Sequence, residues 1–221
     1  MLFADIGCPW AHLSVYRLHA ARSRLGLEDQ VAFDVRAFPL ELFNRQPTPK
    51  PGLDAEVAVL RELDPAAGWQ TWQRPEHEYP VTMLPPMEAV QATKEQGLRA
   101  SDQLDRALRV AFFGQSRAVS MRHVIEEVAE SCSEVDAPKL MGALDDGRAR
   151  AELMRYAVVA DSEEIKGSPH VFLPDGTDVH NPGIEMHWEG EHRKGSLMVD
   201  RDEPEIYEDL LRRAAAGSNG G

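Results

Sequence analysis

The stretch "LFADIGCPWAHLSVYRL", residues 2 to 18, decides the fold. Its apolar start, residues 2–6, predicts a short buried strand that ends at Gly7. Pro9 stands where a first helical turn would begin, a position that tolerates a residue without a backbone N–H. Apolar side chains then recur at helical spacing as far as Gly26. The stretch therefore predicts a strand that leads directly into a helix, with Cys8 at the junction.

The rest of the chain extends this pattern. Residues 31–38, "VAFDVRAF", alternate as a second strand, so the chain begins with a β-α-β unit. Helical spacing with almost no strand pattern follows over residues 51–164. Residues 170–180 predict two short strands joined by a Pro-Asp-Gly turn, and residues 203–216 predict a final helix.

This order predicts an α/β protein with the thioredoxin fold and an all-helical domain inserted between its two halves. Residues 1–50 and 165–216 would form the thioredoxin-like domain, and residues 51–164 the inserted helical domain. The Gly- and Ser-rich residues 217–221 predict a disordered tail.

Composition excludes several classes of function. The formal net charge of −13 would repel nucleic acids and anionic membrane surfaces. No apolar run is long enough for a membrane-spanning helix, and the N-terminus lacks the pattern of a secretory signal. Two cysteines, Cys8 and Cys132, argue against a disulfide framework. We therefore expect a cytoplasmic protein with no nucleic-acid or membrane partner; composition leaves the oligomeric state open.

Two loops carry a family resemblance. "DIGCPWAH", residues 5–12, and "KGSPHVFLPDG", residues 166–176, resemble the signature loops of DsbA-like thioredoxin proteins, most closely the FrnE-like cytosolic branch. The segment 106–130, "RALRVAFFGQSRAVSMRHVIEEVAE", is similar to the inserted helices of that branch. The active-site loop there commonly reads CPWC, whereas here Ala11 replaces the second cysteine. The resemblance implies a thiol–disulfide oxidoreductase.

Cys8 is the candidate nucleophile. At a helix start, free N–H groups and the helix dipole stabilise a negative charge, so we expect the pKa of this thiol to be lowered. The alternative is an inert core cysteine. Ala11 cannot resolve a mixed disulfide, so we expect an external thiol, glutathione or mycothiol, to act as co-substrate, with no tightly bound cofactor. Cys132, interpreted as a half-exposed helix cysteine, is not predicted to reach Cys8.

His12 and Trp10 flank the predicted nucleophile. His12 lies four residues after Cys8, on the same face of the helix, where an imidazolium would favour the thiolate and a neutral imidazole could take its proton. A histidine that merely covers the helix surface is the alternative. The resemblance makes Pro9 and Trp10 substrate-binding residues, with Trp10 exposed.

The second loop supplies the opposite side of the predicted site. The resemblance matches Pro169 to a cis-proline that faces the active cysteine, and Ser168 to the residue before it. Such a turn would expose the peptide groups of Ser168 as a template for an extended substrate or a thiol tripeptide. An ordinary trans proline is the alternative.

Residues 180–195, "HNPGIEMHWEGEHRKG", hold the three histidines His180, His187 and His192. Their spacing fits no zinc signature, so we predict no metal site. We expect instead a loop beside the active-site groove, with Trp188 in contact with substrate.

Two other classes of function stay open. Kappa-class glutathione transferases and 2-hydroxychromene-2-carboxylate isomerases share this fold and also lack the second cysteine, but they usually carry serine at the position of Cys8. A redox-inactive thioredoxin-fold binding module is the third possibility. For an oxidoreductase we expect a small-molecule thiol or disulfide as the partner, with protein disulfides as further substrates. Usage rich in Ala, Arg and Asp suggests a bacterial source.

Overall fold

The structure is a computed structural model that describes residues 1–161, 164–191 and 194–218. Its first half is the β-α-β unit that the sequence predicts: β1 (Leu2–Ala4), α1 (Pro9–Leu25) and β2 (Val35–Ala37). Strand β1 is buried at every position and pairs in parallel with β2. Helix α1 begins with Pro9 and ends at Gly26, whose left-handed φ of 65° favours glycine.

The middle of the chain is the predicted helical insertion. Its helices are α2 (Leu40–Asn44), α3 (Lys50–Leu63), α4 (Leu84–Thr93), α5 (Leu98–Gln115), α6 (Arg122–Glu130), α7 (Ala137–Asp146) and α8 (Arg148–Ala160). The helical pattern over 136–164 divides into α7 and α8 because Gly147, with φ 74°, ends one helix and begins the next. Buried side chains of the insertion and of the thioredoxin half form one continuous apolar cluster.

The last part of the chain completes the sheet. It consists of β3 (His170–Phe172), β4 (Asp178–His180), β5 (Ile184–Glu189), β6 (Ser196–Asp202) and α9 (Ile206–Ser218). The main sheet has the order β2-β1-β3-β4, and β3 is antiparallel to both of its neighbours. This is the thioredoxin fold with the helices inserted between its halves.

Two predictions for the C-terminal part are wrong. Residues 180–195 are not a loop, since β5 and β6 pair as a separate antiparallel hairpin. Strand β5 alternates between inward Ile184, Met186 and Trp188 and exposed Glu185, His187 and Glu189, a period-two pattern that predicts a strand. Helix α9 runs through Gly217 to Ser218, so only residues 219–221 of the predicted tail lie outside the described part of the chain.

Candidate active site at the start of helix α1

Cys8 lies at the junction of β1 and α1, as predicted. It is the N-cap residue of α1, with Pro9 in the first helical position. Its Sγ donates a hydrogen bond to the carbonyl oxygen of Ser168 at 3.2 Å. Only 4% of Cys8 is exposed. The fold therefore brings the two predicted loops together, but in the resting structure it covers the sulfur.

The second loop carries the cis peptide bond that the resemblance implied, between Ser168 and Pro169. The Ser168 hydroxyl accepts a hydrogen bond from the backbone N–H of Asp5 at 2.9 Å, so both ends of Ser168 are joined to the Cys8 loop. Ser168 is half-buried and Pro169 is buried. The Ser168 carbonyl was expected to be a free template for substrate, but it is occupied by the Cys8 thiol.

The electrostatics of Cys8 differ in sign from the prediction. Burial raises the pKa of the thiol from 9.0 to about 11, and the nearby carboxylates of Glu56 and Asp5 add to the rise. The Ala11 N–H of the first helical turn and the contact with Ser168 oppose it. The helix start acts as predicted, but removal of the sulfur from water is the larger effect. The resting thiol is protonated at neutral pH.

Asp5 is a site residue that sequence reasoning missed. Its Oδ1 accepts from the Gly7 N–H at 2.7 Å and its Oδ2 from the Leu40 N–H at 2.9 Å. Burial raises the pKa of this carboxyl to about 6. An acidic residue that interrupts an apolar strand three positions before Cys8 was the available signal.

Met83 and Glu41 form a cover beside the Cys8 loop that the sequence did not indicate. A Cβ on Gly7 would lie 2.9 Å from the Met83 Cγ, so Met83 packs directly on this glycine. Glu41 accepts hydrogen bonds at 2.6 Å from the Thr82 hydroxyl and from the Met83 N–H. These contacts join residues about forty positions apart, and no local pattern could have predicted them.

His12 is neither an imidazolium nor a surface residue. Its ring is 4% exposed and stacks on Phe113, with 4.7 Å between centroids, and meets Trp69 edge to face at 4.6 Å. Its Nε2–H donates to the carbonyl oxygen of Ala67 at 2.9 Å. Burial lowers the pKa of His12 to about 3, so the ring is neutral. It joins α1 to the insertion.

Trp10 and Ala11 are both buried. Trp10 is 6% exposed, so the expectation of an exposed substrate-facing aromatic is wrong for the resting structure. Its indole N–H has no hydrogen-bond partner among the described residues. Ala11 has no exposed surface, and Pro9 beside Cys8 is buried as well.

Cys132 is not the half-exposed cysteine that was expected. It is 6% exposed, and its Sγ donates to the carbonyl oxygen of Val128 at 3.3 Å. Cys8 and Cys132 are both free thiols.

The C-terminal histidines do not gather at Cys8. His180 packs against Gly167, and His187 pairs with Asp200 on the exposed side of the hairpin, with 2.8 Å between Nδ1 and Oδ2. Trp188 is half-buried against the apolar cluster. His192 lies outside the described residues. Within the described ranges, no three His, Cys, Asp or Glu side chains group as metal ligands.

Comparison with known proteins agrees with this geometry. Residues 1–193 match the family of DSBA-like thioredoxin domains. No curated protein matches the sequence. Among the described residues no helix has the length and apolar character needed to cross a membrane.

Solved structures share the fold at low identity. A probable DsbA oxidoreductase from Streptomyces coelicolor has a TM-score of 0.66 at 19% identity, over 97% of this chain and 88% of its own. The cytosolic disulfide reductase DsbM from Pseudomonas aeruginosa has a TM-score of 0.59 at 16% identity, over 96% and 95%. DsbM solved with GSH has a TM-score of 0.53 at 16% identity, over 96% of each chain. At these identities the likeness extends to the fold alone.

Proposed function

Because the chain belongs to the family of DSBA-like thioredoxin domains, we propose that it is a thiol–disulfide oxidoreductase that acts through Cys8 alone. An external low-molecular-weight thiol completes its reaction. Within the family, the loops around Cys8 and Pro169 favour the FrnE-like cytosolic branch, and we expect the protein in the bacterial cytoplasm.

The observation that carries this proposal is the position of the Cys8 sulfur, 3.2 Å from the Ser168 carbonyl and next to the cis bond of Pro169. A disulfide that reaches this sulfur would lie along the Ser168 peptide, which offers main-chain hydrogen bonds to an extended substrate. Ala11 puts a methyl group where a dithiol enzyme has its second sulfur.

The reaction takes two exchange steps. First, Cys8 gives up its proton and attacks one sulfur of a disulfide RSSR, so that a Cys8–S–S–R bond forms and RS⁻ leaves. An external thiolate R′S⁻ then attacks the R sulfur, which releases RSSR′ and returns the Cys8 thiolate. No electrons are gained or lost overall, because one thiol and one disulfide exchange partners.

Burial sets the first requirement of this cycle. The protonated resting thiol must leave the Ser168 carbonyl before it can attack, because only the thiolate is nucleophilic. Opening of the loop contacts would admit both water and the disulfide, and water removes the desolvation that raises the pKa of Cys8. The proposed cycle therefore begins with movement around Ser168 or Met83.

Glutathione and mycothiol are the proposed co-substrates, with small disulfides as partners and protein disulfides as further substrates. The structure of DsbM with GSH supports a tripeptide thiol for this fold. No tightly bound cofactor is needed, because the two exchange steps use only sulfur groups.

The test is mass spectrometry of the purified protein after incubation with glutathione disulfide or with mycothiol disulfide. We expect one adduct on Cys8 that glutathione or mycothiol removes. Cys132→Ser is the matched control, because it deletes the other buried thiol and should leave the adduct in place. Absence of any adduct on Cys8 in this variant, with both disulfides, would contradict the proposal.

One observation favours a second candidate. A protonated Cys8 donates its S–H, as a serine hydroxyl would, and this suits a transferase or isomerase that holds a bound glutathione thiolate. In that case Cys8→Ser would keep glutathione binding and some conjugation activity. For the oxidoreductase, the same variant would lose the mixed disulfide and all turnover.

A further inference from the structure

Arg109 is a fully buried arginine at the centre of the molecule. It lies on α5 in the helical insertion and has no exposed surface. Its Nε and Nη2 donate to the two carboxylate oxygens of Asp105, one turn earlier, at 2.8 and 3.1 Å. This bidentate pair balances the charge of Arg109 within its own helix.

The remaining nitrogen of Arg109 reaches the Cys8 loop. Its Nη1 donates to the carbonyl oxygen of Asp5 at 2.8 Å and lies 3.4 Å from that of Ile6. The Cys8 N–H donates to the same Asp5 oxygen at 3.3 Å. The guanidinium and the catalytic cysteine therefore share one acceptor.

These contacts fix both sides of the turn that presents Cys8. The Asp5 carboxylate holds the Gly7 N–H, while Arg109 holds the two carbonyl oxygens on the side of the insertion. With its carbonyls anchored there, the turn presents Cys8 at the start of α1, where the Ala11 N–H favours the thiolate. A rotated turn would lose that alignment.

Fold stability alone does not require an ion pair at this place. Replacing a buried ion pair by well-packed apolar side chains is often neutral or stabilising. The specific feature of Arg109 is its directed bond to the carbonyls before Cys8, which an apolar residue could not supply.

We propose that Arg109 is a positioning residue that carries the helical insertion into the active site by holding the Asp5 and Ile6 carbonyls and, through them, Cys8. This rests on the proposed function of Cys8 as the nucleophile. Arg109 acts through the backbone of the turn and does not touch the reacting sulfur atoms.

The test compares Arg109→Gln and Arg109→Lys with the unaltered protein, all in a Cys132→Ser background. Two rates are measured across pH: alkylation of Cys8 by iodoacetamide, and mixed-disulfide formation with glutathione disulfide. For Arg109→Gln we expect both rates to fall about tenfold, with the alkylation profile displaced to higher pH, because a small misplacement of a reacting group costs this much or more. Arg109→Lys keeps one donor and should recover part of the rate.

Arg17→Gln is the matched control. Arg17 is also a buried arginine, 5% exposed, but it pairs with Asp202 at 2.5 and 2.9 Å and with Asp64 at 3.2 Å. It should lower the thermal unfolding midpoint without changing the reactivity of Cys8.

Three outcomes would overturn the proposal. They are a folded Arg109→Gln protein with unchanged rates and pH profile, the same loss of rate in Arg17→Gln, and, if Arg109→Gln does not fold, unchanged rates in Arg109→Lys. If no mixed disulfide forms even in the unaltered protein, the proposed function fails, and the alkylation profile still tests Arg109.

Discussion

The Cys8 sulfur donates a hydrogen bond to the carbonyl oxygen of Ser168 at 3.2 Å, although the two residues are 160 positions apart. This contact joins the two halves of the thioredoxin fold across the sulfur itself. It also makes the resting site a closed one, because the acceptor that a substrate would use is occupied. The following predictions concern what keeps this site closed and what its residues do when protonated.

The first prediction concerns the reactivity of Cys8 with pH. Since burial raises its pKa to about 11, alkylation by iodoacetamide should accelerate through neutral and alkaline pH toward that value. The Cys132→Ser protein reports Cys8 alone, and Cys8→Ser supplies the background. A rate that levels off below about pH 8, under the unperturbed thiol pKa, would mean that the sulfur is a thiolate at rest.

The second prediction restores a second thiol with Ala11→Cys. Ala11 lies in the first turn of α1, where its N–H acts on the Cys8 sulfur, so a cysteine there should form a disulfide with Cys8 under oxidising conditions. Because Ala11 is fully buried, the added sulfur should cost about 1–3 kcal/mol of unfolding free energy. Thiol counting before and after oxidation measures the bond. Two thiols that persist at positions 8 and 11 would contradict it.

The third prediction concerns the cover over Gly7. Glu41→Gln replaces one of the two acceptors that hold Thr82 and Met83, so the segment should loosen and Cys8 should alkylate several times faster. Glu62→Gln, on the exposed face of α3, is the control and should leave the rate unchanged. An equal rate in all three proteins would show that Met83 does not limit access to the sulfur.

The fourth prediction assigns part of the pH dependence of stability to Asp5. Its folded pKa, about 6, lies above the ordinary 3.8, so the folded state binds this proton more tightly. Ionisation of Asp5 therefore lowers the free energy of unfolding as pH rises from about 4 to 6, by about 3 kcal/mol. Urea unfolding of Asp5→Asn should lack this decline. The same slope in both proteins would contradict the assignment.

The fifth prediction gives His12 the opposite sign. Its folded pKa of about 3 lies below the ordinary 6.5, so the neutral ring stabilises the fold above pH 6.5. That stability is lost as pH falls toward 3, by about 5 kcal/mol. His12→Gln, which keeps a donor for the Ala67 carbonyl, should unfold with a flatter acid limb in the same assay. A His12 imidazole that titrates near 6.5 by NMR would refute it.

Local sequence determined the frame of this protein. The apolar run before Gly7, Pro9 at the first helical position and Gly26 at the end of α1 set the β-α-β unit through short-range sterics and hydrogen bonding. The Pro-Asp-Gly turn in the same way specified β3 and β4. The hairpin β5–β6 was also present in the period-two pattern of residues 184–189, and the cluster of histidines obscured it.

Only the tertiary structure decided the chemical state of the site. A pKa depends on every group around the side chain, and for Cys8 the desolvation imposed by distant residues outweighs the N–H groups of its own helix. His12 likewise meets Ala67 and Phe113, which no spacing along α1 could indicate. Helix and strand signals act over a few residues, whereas burial and its electrostatic cost are set by whatever the fold packs against that face.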